Sequence, residues 1–395
     1  MKSIQLFSTE SNDLNLAVFQ LKQQLDEFSL LQNTCALVFC GYEFDTEKLV
    51  TLLNETFGFP FVGCTGLGIM KNDGYCQTTI SMTVMTADDV FFEVGMTSFI
   101  SDFSELNEIK TLFRRLSCKL PYKEKIIFTY TPWMANIISD SVTELLDSES
   151  GGVPVYGGIA SDNWSFKDCK VFTNEGSSMN RVALLLITGN IHPIVLTENS
   201  SYNSDIAKSR KVTKAQGVTV YELDDKPIAD FIRANGINTN KTHVGIDYFA
   251  TPFLTTKQTY DGDSYDVIRN LYTINHDTAS CSFTGIVKEG NDLMMVQVSK
   301  DSIRDGVSKL FDKLFGMIEK SDKKYSTIIC SSCTSRHTLI ASDKQSETDG
   351  YVGRIPEGIN LQGIYVYGEF CPISGKKTGN LYNDLNNETF TLIAL

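Results

Sequence analysis

Four short runs of the chain are almost continuously apolar: Ala36–Cys40, Ile126–Tyr130, Ala183–Thr188 and Thr327–Cys330. Runs of this length without polar alternation predict strands buried on both faces, as in parallel sheets covered by helices. Two of them open similar units. "ALVFC" leads to "DTEKLVTLLNETF", where Leu49, Leu52, Leu53 and Phe57 mark one helical face, and then to "FPFVGCTGLGIM". "IIFTY" leads to the helical "IISDSVTELLDSE" and then to "VPVYGGIASDN". Strand, helix and a proline-introduced strand ending in glycines thus occur twice. This predicts an internal β-α-β duplication with parallel neighbouring strands.

After each glycine turn the period changes to two. "CQTTISMTVMT" (76–86) and "CKVFT…RVALLLIT" (169–188) alternate as antiparallel hairpins do. The expected fold class is therefore α/β, with mixed β-sheets flanked by helices in two similar-sized halves, residues 1–217 and 218–395. The basic cluster "KSRKVTK" (208–214) reads as a solvated connection between them.

Composition narrows the partners. The 395 residues are 42% hydrophobic and 21% charged, which is enough for a substantial core. A formal net charge of −13 repels nucleic-acid phosphates and anionic membrane surfaces, so neither is expected as a partner. The start, "MKSIQLFSTESNDLNL", lacks an apolar signal core, and the apolar run Val182–Ile187 is too short to cross a bilayer. A cytoplasmic protein is expected. Ten cysteines, many in strand-like runs such as "TCALVFC", read as buried free thiols with no structural disulfide.

Candidate chemistry gathers at strand ends. "GCTGLG" (63–68) has neither the dinucleotide-binding spacing nor the lysine of a phosphate loop. Its Cys64 is a candidate nucleophile without a nearby histidine or aspartate to activate it. In "YGGIASDNW" (156–164), Gly157 and Gly158 permit close backbone approach, Ser161, Asp162 and Asn163 offer short polar groups, and Trp164 a flat face. That stretch is a turn or a pocket wall. In "YVYGEF" (365–370), strand alternation places Tyr365, Tyr367 and Glu369 on one face.

"CSSCTSRH" (330–337) admits several readings. A redox Cys-x-x-Cys needs a helix N-terminus, and "TSRHTLIASD" has no helical apolar period. A zinc site of Cys330, Cys333 and His337 lacks a local fourth ligand. The preferred reading is a strand end that delivers Arg336 to a pocket, facing Glu369 or a ligand carboxylate. A structural salt bridge of Arg336 stands beside it.

With these motifs in this order, the chain resembles the FIST-domain proteins. "FVGCTGLGIM" and "VPVYGGIASDN" resemble the amino-terminal module. "TVYELDDKPIADFI" (219–232), "ICSSCTSRH", "LQGIYVYGEFCPI" and the tail "YNDLNNETFTLIAL" resemble the carboxy-terminal one. At "LGIM" Ile69 stands where the family commonly has an acidic residue. The resemblance implies a sensor of a small ligand, an amino acid or haem with a gas, that signals in trans to a partner such as a histidine kinase. On that reading the ligand-binding residues are Arg336, Tyr367, Glu369, Tyr365, Gly158, Ser161, Asp162, Cys64 and Cys333. A haem-binding, nitric-oxide-sensing branch would need an axial ligand. Of His192, His243, His276 and His337, the first candidate is His192 in "GNIHPIV" and the second is His337. A non-enzymatic protein is expected, against the rival of a thiol enzyme using Cys64 or Cys333.

Overall fold

The computed structural model describes all residues except 135–138, 200–201, 204–207, 239–251, 341–342 and 344. Its first unit runs β1 (Lys2–Ser8), α1 (Leu14–Leu25), β2 (Asn33–Gly41), α2 (Thr46–Thr56), β3 (Phe61–Gly66), the hairpin β4 (Ile69–Lys71) and β5 (Gly74–Cys76), and β6 (Ile80–Ala87). The second repeats this order: β7 (Val90–Met96), α3 (Asn107–Ser117), β8 (Ile126–Thr131), α4 (Asp140–Ser150), β9 (Val155–Ile159), the hairpin β10 (Val171–Thr173) and β11 (Gly176–Ser178), and β12 (Ala183–Gly189). Both expected β-α-β units are present, with β2 parallel to β3 and β8 parallel to β9.

A third unit begins with β13 (Ile194–Asn199) and is interrupted by an inserted segment. That segment runs β14 (Tyr202–Asn203), β15 (Arg210–Gln216), β16 (Thr219–Leu223), β17 (Lys226–Pro227), α5 (Ile228–Ala234), β18 (Pro252–Gln258), β19 (Ser264–Asn275), β20 (Ser280–Phe283), β21 (Asp292–Met295) and β22 (Gln297–Val298). The unit then resumes with α6 (Lys300–Lys320), β23 (Thr327–Cys333), α7 (Thr334–Leu339), β24 (Asn360–Val366), the hairpin β25 (Glu369–Ser374) and β26 (Leu381–Asn386), and β27 (Thr389–Ala394). Here too the inner pair, β23 and β24, is parallel.

The three sheets share one strand order: β1-β6-β2-β3-β10-β11, β7-β12-β8-β9-β25-β26 and β13-β27-β23-β24-β4-β5. Each takes its outer hairpin from another unit, in a cycle. Around the resulting pseudo-threefold axis the strand ends are tied by equivalent backbone bonds: Ser161 N–H to Thr65 O at 3.1 Å, Tyr367 N–H to Ile159 O at 2.9 Å and Leu67 N–H to Tyr365 O at 3.4 Å. Gly63 and Gly157 occupy equivalent places on β3 and β9. A Cβ there would stand 1.9 Å from the carbonyl oxygens of Val38 and Thr129 respectively, so the parallel pairs close only over glycine.

Strand alternation explains the layers. In β2, Leu37 and Phe39 face a central core shared with Ile329, Ile364 and Leu185, while Ala36, Val38 and Cys40 face the helix side with Leu14, Leu49 and Leu53. Both faces are covered, which is why the run has no polar positions. The helices are locally specified: Asp45 accepts from Lys48 N–H at the start of α2, Ser299 and Ser302 form a capping box on α6, and Gly151 ends α4 at φ 68°.

The basic segment 208–214 is a correction. Arg210–Gln216 is not a loose connection but the strand β15 of a seven-stranded sheet, order β15-β21-β18-β19-β20-β16-β17, paired with β21 and β16. The 217/218 division falls between β15 and β16. The two sides are interleaved, since β13 pairs with β27 and β4 with β24.

The inserted segment is bolted to the core by buried charge. Arg269, fully buried, meets Asp140 at 2.8 Å, and Lys257 bridges Asp140 at 2.9 Å and Asp384 at 2.7 Å. Burial pushes the Asp140 carboxyl upward, but Lys257 and Arg269 outweigh it and hold it at about 2. Among the described residues no helix is long and apolar enough to cross a membrane.

Candidate functional site

The carboxyl ends of β8 and β9 meet the inserted segment in a cluster of five aromatic rings. Trp133 follows β8, Trp164 and Phe166 stand on the loop after β9, Tyr272 comes from β19, and Tyr367 from the turn before β25. Ring centroids lie 4.8 Å apart for Trp133–Phe166, 5.3 Å for Trp133–Tyr272, 4.7 Å for Phe166–Tyr367 and 5.3 Å for Trp164–Tyr367. Tyr367 is buried, and the other four are partly exposed. Strand ends of this kind are where α/β sheets commonly seat ligands.

Asp162 builds the loop. Its Oδ1 accepts from the N–H groups of Ser165 and Phe166 and from the Tyr367 hydroxyl, at 3.0, 3.0 and 2.7 Å. Its Oδ2 accepts from Ser165 Oγ and from the N–H groups of Lys167 and Asp168, at 2.6, 2.8 and 3.0 Å. Burial raises this carboxyl, and the donors, led by Ser165, Asp168 and Tyr367, outweigh burial and hold it at about 2. The same bonds fix Trp164 and Phe166 at φ 59° and 56°, a left-handed conformation unusual for aromatic residues. Asp162→Asn keeps the shape but loses the charge-assisted bonds. It should lower stability by about 1–2 kcal/mol in urea and shift tryptophan emission to the red. Unchanged stability and emission would remove Asp162 as the organiser of the loop.

A second cluster lies deeper, at the carboxyl ends of β23 and β24. Arg336 is fully buried and is bound to Glu347, with Nε and Nη2 each 2.7 Å from Oε1, while Nη1 donates to Glu388 O at 3.3 Å. Glu347 also receives the Tyr365 hydroxyl at 2.6 Å and Ser332 Oγ at 2.9 Å. Glu369 takes Thr389 Oγ1 at 2.5 Å, and Glu388 takes Asn270 Nδ2 of the inserted segment at 3.1 Å. One guanidinium thus faces three fully buried carboxyls. Burial raises Glu369 well above the carboxylate range, against Thr389 and Arg336, and pushes Glu388 up to about 7 against Ser335, Arg336 and Asn270.

The expected residues therefore separate. Asp162, Trp164 and Tyr367 belong to the aromatic seam. Arg336, Tyr365 and Glu369 belong to the buried charge cluster, and the Arg336 guanidinium is occupied by Glu347 rather than turned to a ligand. Tyr365, Tyr367 and Glu369 do not share a face, because the chain leaves one sheet at Val366 and enters another at Glu369. Ser161 is an axial cross-link: its hydroxyl donates to Tyr365 O at 2.7 Å and accepts Leu67 N–H at 3.0 Å. Gly158 pairs in register with Glu369, and a Cβ there would stand 2.8 Å from Val366 Cγ2.

"TSRHTL" forms the helix α7 despite lacking an apolar stripe. Thr334, Ser335, Arg336 and His337 are all buried, so polar partners replace apolar packing. The thiols are poor nucleophiles. Cys64 sits in the central core and Cys333 caps α7, and burial pushes both well above the thiol range. Among the described residues no metal-ligand cluster forms.

Among the described residues no histidine fits haem. His192 is exposed on the turn between β12 and β13. His337 has Nε2 3.1 Å from Tyr75 Oη and is packed against the rings of Tyr75 and Tyr365 at 5.4 and 4.8 Å, which leaves no slot for a porphyrin. His276 is exposed, and His243 lies outside the described residues.

Sequence reasoning missed Trp133, Phe166, Tyr272, Glu347 and Glu388. The signal for Phe166 was at hand in "DNWSF", two residues beyond Trp164. Trp133 and Tyr272 come from different parts of the chain, Glu347 and Glu388 both from the third unit, and none carries a local mark.

Residues 34–226 match the FIST N domain and residues 239–372 the FIST C domain. No curated protein matches the chain. Among solved structures it is similar to a cyanuric acid hydrolase, described as an evolutionary innovation by structural concatenation, at 10% identity, covering 100% of this chain and 99% of that one with a TM-score of 0.33. It is also similar to a chorismatase at 9% identity, covering 99% and 97%, with a TM-score of 0.33.

Proposed function

The chain belongs to the FIST-domain family, whose modules are sensory domains that bind small ligands, and on that premise we propose that its ligand seats at the aromatic seam between the three-unit core and the inserted segment. One observation carries this reading. Five aromatic residues from three separate parts of the chain converge, four of them partly exposed, on a loop held in a strained conformation. Strain of this kind clusters where a site must be pre-organised. Tyr272 lies on the inserted segment and Trp133 on the core, so a ligand touching both would alter how the two are joined. The signal then passes to a separate protein, with a histidine kinase as the example.

The role proposed is binding rather than catalysis. The seam offers flat faces and one saturated carboxylate, and the buried thiols offer no nucleophile.

The chain has two tryptophans, Trp133 and Trp164, and both stand in the seam. Intrinsic fluorescence therefore reads the site directly. Titration with free amino acids, and with other small metabolites, should give a saturable change in emission with the compound that also raises Tm. Trp164→Phe should diminish it. A compound that raises Tm yet leaves both indoles unchanged would place the seat elsewhere.

A further inference from the structure

We propose that the cleft between α4 and the inserted segment is a second ligand site, separate from the aromatic seam, and that it takes a short-chain alkyl diamine. The cleft is a cavity of 270 Å³. Glu144 and Asp147 of α4 line it together with Asn383 and Asp384 of β26, and Lys257, Tyr265 and Lys288 line it from the inserted segment. Tyr382 of β26 stacks on Tyr265, with ring centroids 5.5 Å and planes 16° apart.

The charges in the cleft do not cancel. Lys257 is occupied, its Nζ 2.9 Å from Asp140 and 2.7 Å from Asp384. Arg269 completes that group from behind, 2.8 Å from Asp140, so two cations there match two carboxylates. Glu144 and Asp147 stand outside it, and among the described residues neither forms an ion pair. Lys288, exposed at the rim, offsets one of them at most. Asp147 is only partly exposed, and its Oδ1 is held by Asn383 Nδ2, which also donates to Val153 O at 2.9 Å. Its Oδ2 accepts no bond among the described residues and is left to the cavity. Burial raises this carboxyl to about 6; Asn383 opposes the rise, and Asp384 and Glu144 add to it. A carboxylate drawn out of water without a cation of its own gains most from one brought by a ligand.

The lining selects the kind of cation. A hard metal ion needs several converging oxygen ligands, and no metal-ligand cluster forms among the described residues. A quaternary ammonium has no N–H for the open Asp147 oxygen, whereas a primary ammonium has three. Glu144 and Asp147 stand three residues apart on one helix face, about 5–6 Å between Cβ atoms, a spacing that about four methylenes between two ammonium groups can match. The Tyr265 and Tyr382 rings supply an apolar wall for those methylenes. An anion is repelled by Glu144, Asp147 and Asp384. A diamine seated here touches the three-unit core and the inserted segment together, and so raises the Tm of the joined structure.

The test compares 1,4-diaminobutane with n-butylamine and 1,4-butanediol by calorimetry and thermal unfolding of the full chain at pH 7.5. The diamine is expected to raise Tm and to bind at least about tenfold tighter than butylamine, the worth of one charge-assisted hydrogen bond, and the diol to give no binding heat. Asp147→Asn should weaken the diamine at least about tenfold, by the same bond. Glu144→Gln, which changes an exposed side chain and should fold as wild type, should bring the diamine down to the affinity of butylamine. At pH 6, in two buffers of different ionisation heat, wild type should release on the order of half a proton per diamine, because the ammonium favours the ionised Asp147, and Asp147→Asn should release none. Equal affinity for diamine and butylamine overturns the two-point ligand. Affinity unchanged in both variants, or no proton release by wild type, overturns the site. Absence of diamine binding overturns both. Neither tryptophan lines this cleft, so the emission assay of the seam stands or falls separately.

Discussion

Arg336→Met is expected to destabilise the fold by about 3–5 kcal/mol, the loss that follows when one member of a buried ion pair is left without its partner. The guanidinium is fully buried and serves Glu347 through two contacts of 2.7 Å. Burial opposes its charge, but Glu347 outweighs that and holds the group more firmly protonated than usual. Methionine leaves Glu347 with only Tyr365 and Ser332 as donors, beside Glu369 and Glu388. The double variant Arg336→Met/Glu347→Met should recover most of the loss, since the pair is replaced by apolar volume. Urea unfolding of wild type, Arg336→Met, Glu347→Met and the double variant decides it. A single-variant loss below about 1 kcal/mol, or a double variant no better than the single, contradicts a structural role for the pair. Ligand affinity at the aromatic seam should change little in any variant that folds.

Glu388→Gln is expected to remove a pH dependence worth about 3.5 kcal/mol in full, taking ~1.4 kcal/mol for each pH unit between 4.5 and about 7. In the folded chain the carboxyl titrates at about 7, raised from 4.5 mainly by burial, against Ser335, Arg336 and Asn270. Unfolding returns it to the lower value. Between these pH values the folded state holds the extra proton, so stability is full below about 4.5 and falls as pH rises through 7. Glu369 shifts in the same direction and leaves some slope of its own, so the decisive quantity is wild type minus variant. Chemical denaturation at pH 5 and pH 8 should show wild type losing stability that Glu388→Gln keeps. Parallel behaviour of the two proteins would show that Glu388 stays ionised in the fold.

The parts of the fold visible in the sequence are those whose residues carry their own environment. β2, β8, β12 and β23 were legible because burial on both faces leaves an unbroken apolar run. α2 was legible because Leu49 and Leu53 pack inward at helical spacing. The third β-α-β unit was not, because α7 is buried through polar partners and so has no apolar period to read. Tyr365 and Tyr367 alternate as in a strand, yet the change of sheets after Val366 sends one to Glu347 and the other to Asp162. Of the seam, Asp162, Trp164 and Tyr367 stood in recognisable motifs. Trp133 reaches it through the pairing of β8 with β9 in its own unit and Tyr272 through the docking of the inserted segment, contacts that no local pattern marks. Glu347 sits in the polar stretch "DKQSETDG", which looks like a solvated loop until Arg336 is placed against it.

The cyclic exchange of hairpins also sets a timetable for biosynthesis. Ile69 pairs with Ile364, and β4 has no other sheet to join besides its own partner β5. At ribosomal speeds of ~5–20 residues per second, the first hairpin emerges roughly 15–60 s before its partner strand exists. During that interval the nascent chain carries an unpaired edge and a bare apolar face. The ring closes only when β24 to β27 leave the exit tunnel, so termination before β25 leaves two of the three sheets incomplete, while β1-β6-β2-β3-β10-β11 draws on the first two units alone. Synthesis of the third unit and closure of the ring are therefore nearly the same event, and a chaperone that shields the first hairpin has the whole interval before β24 to find it.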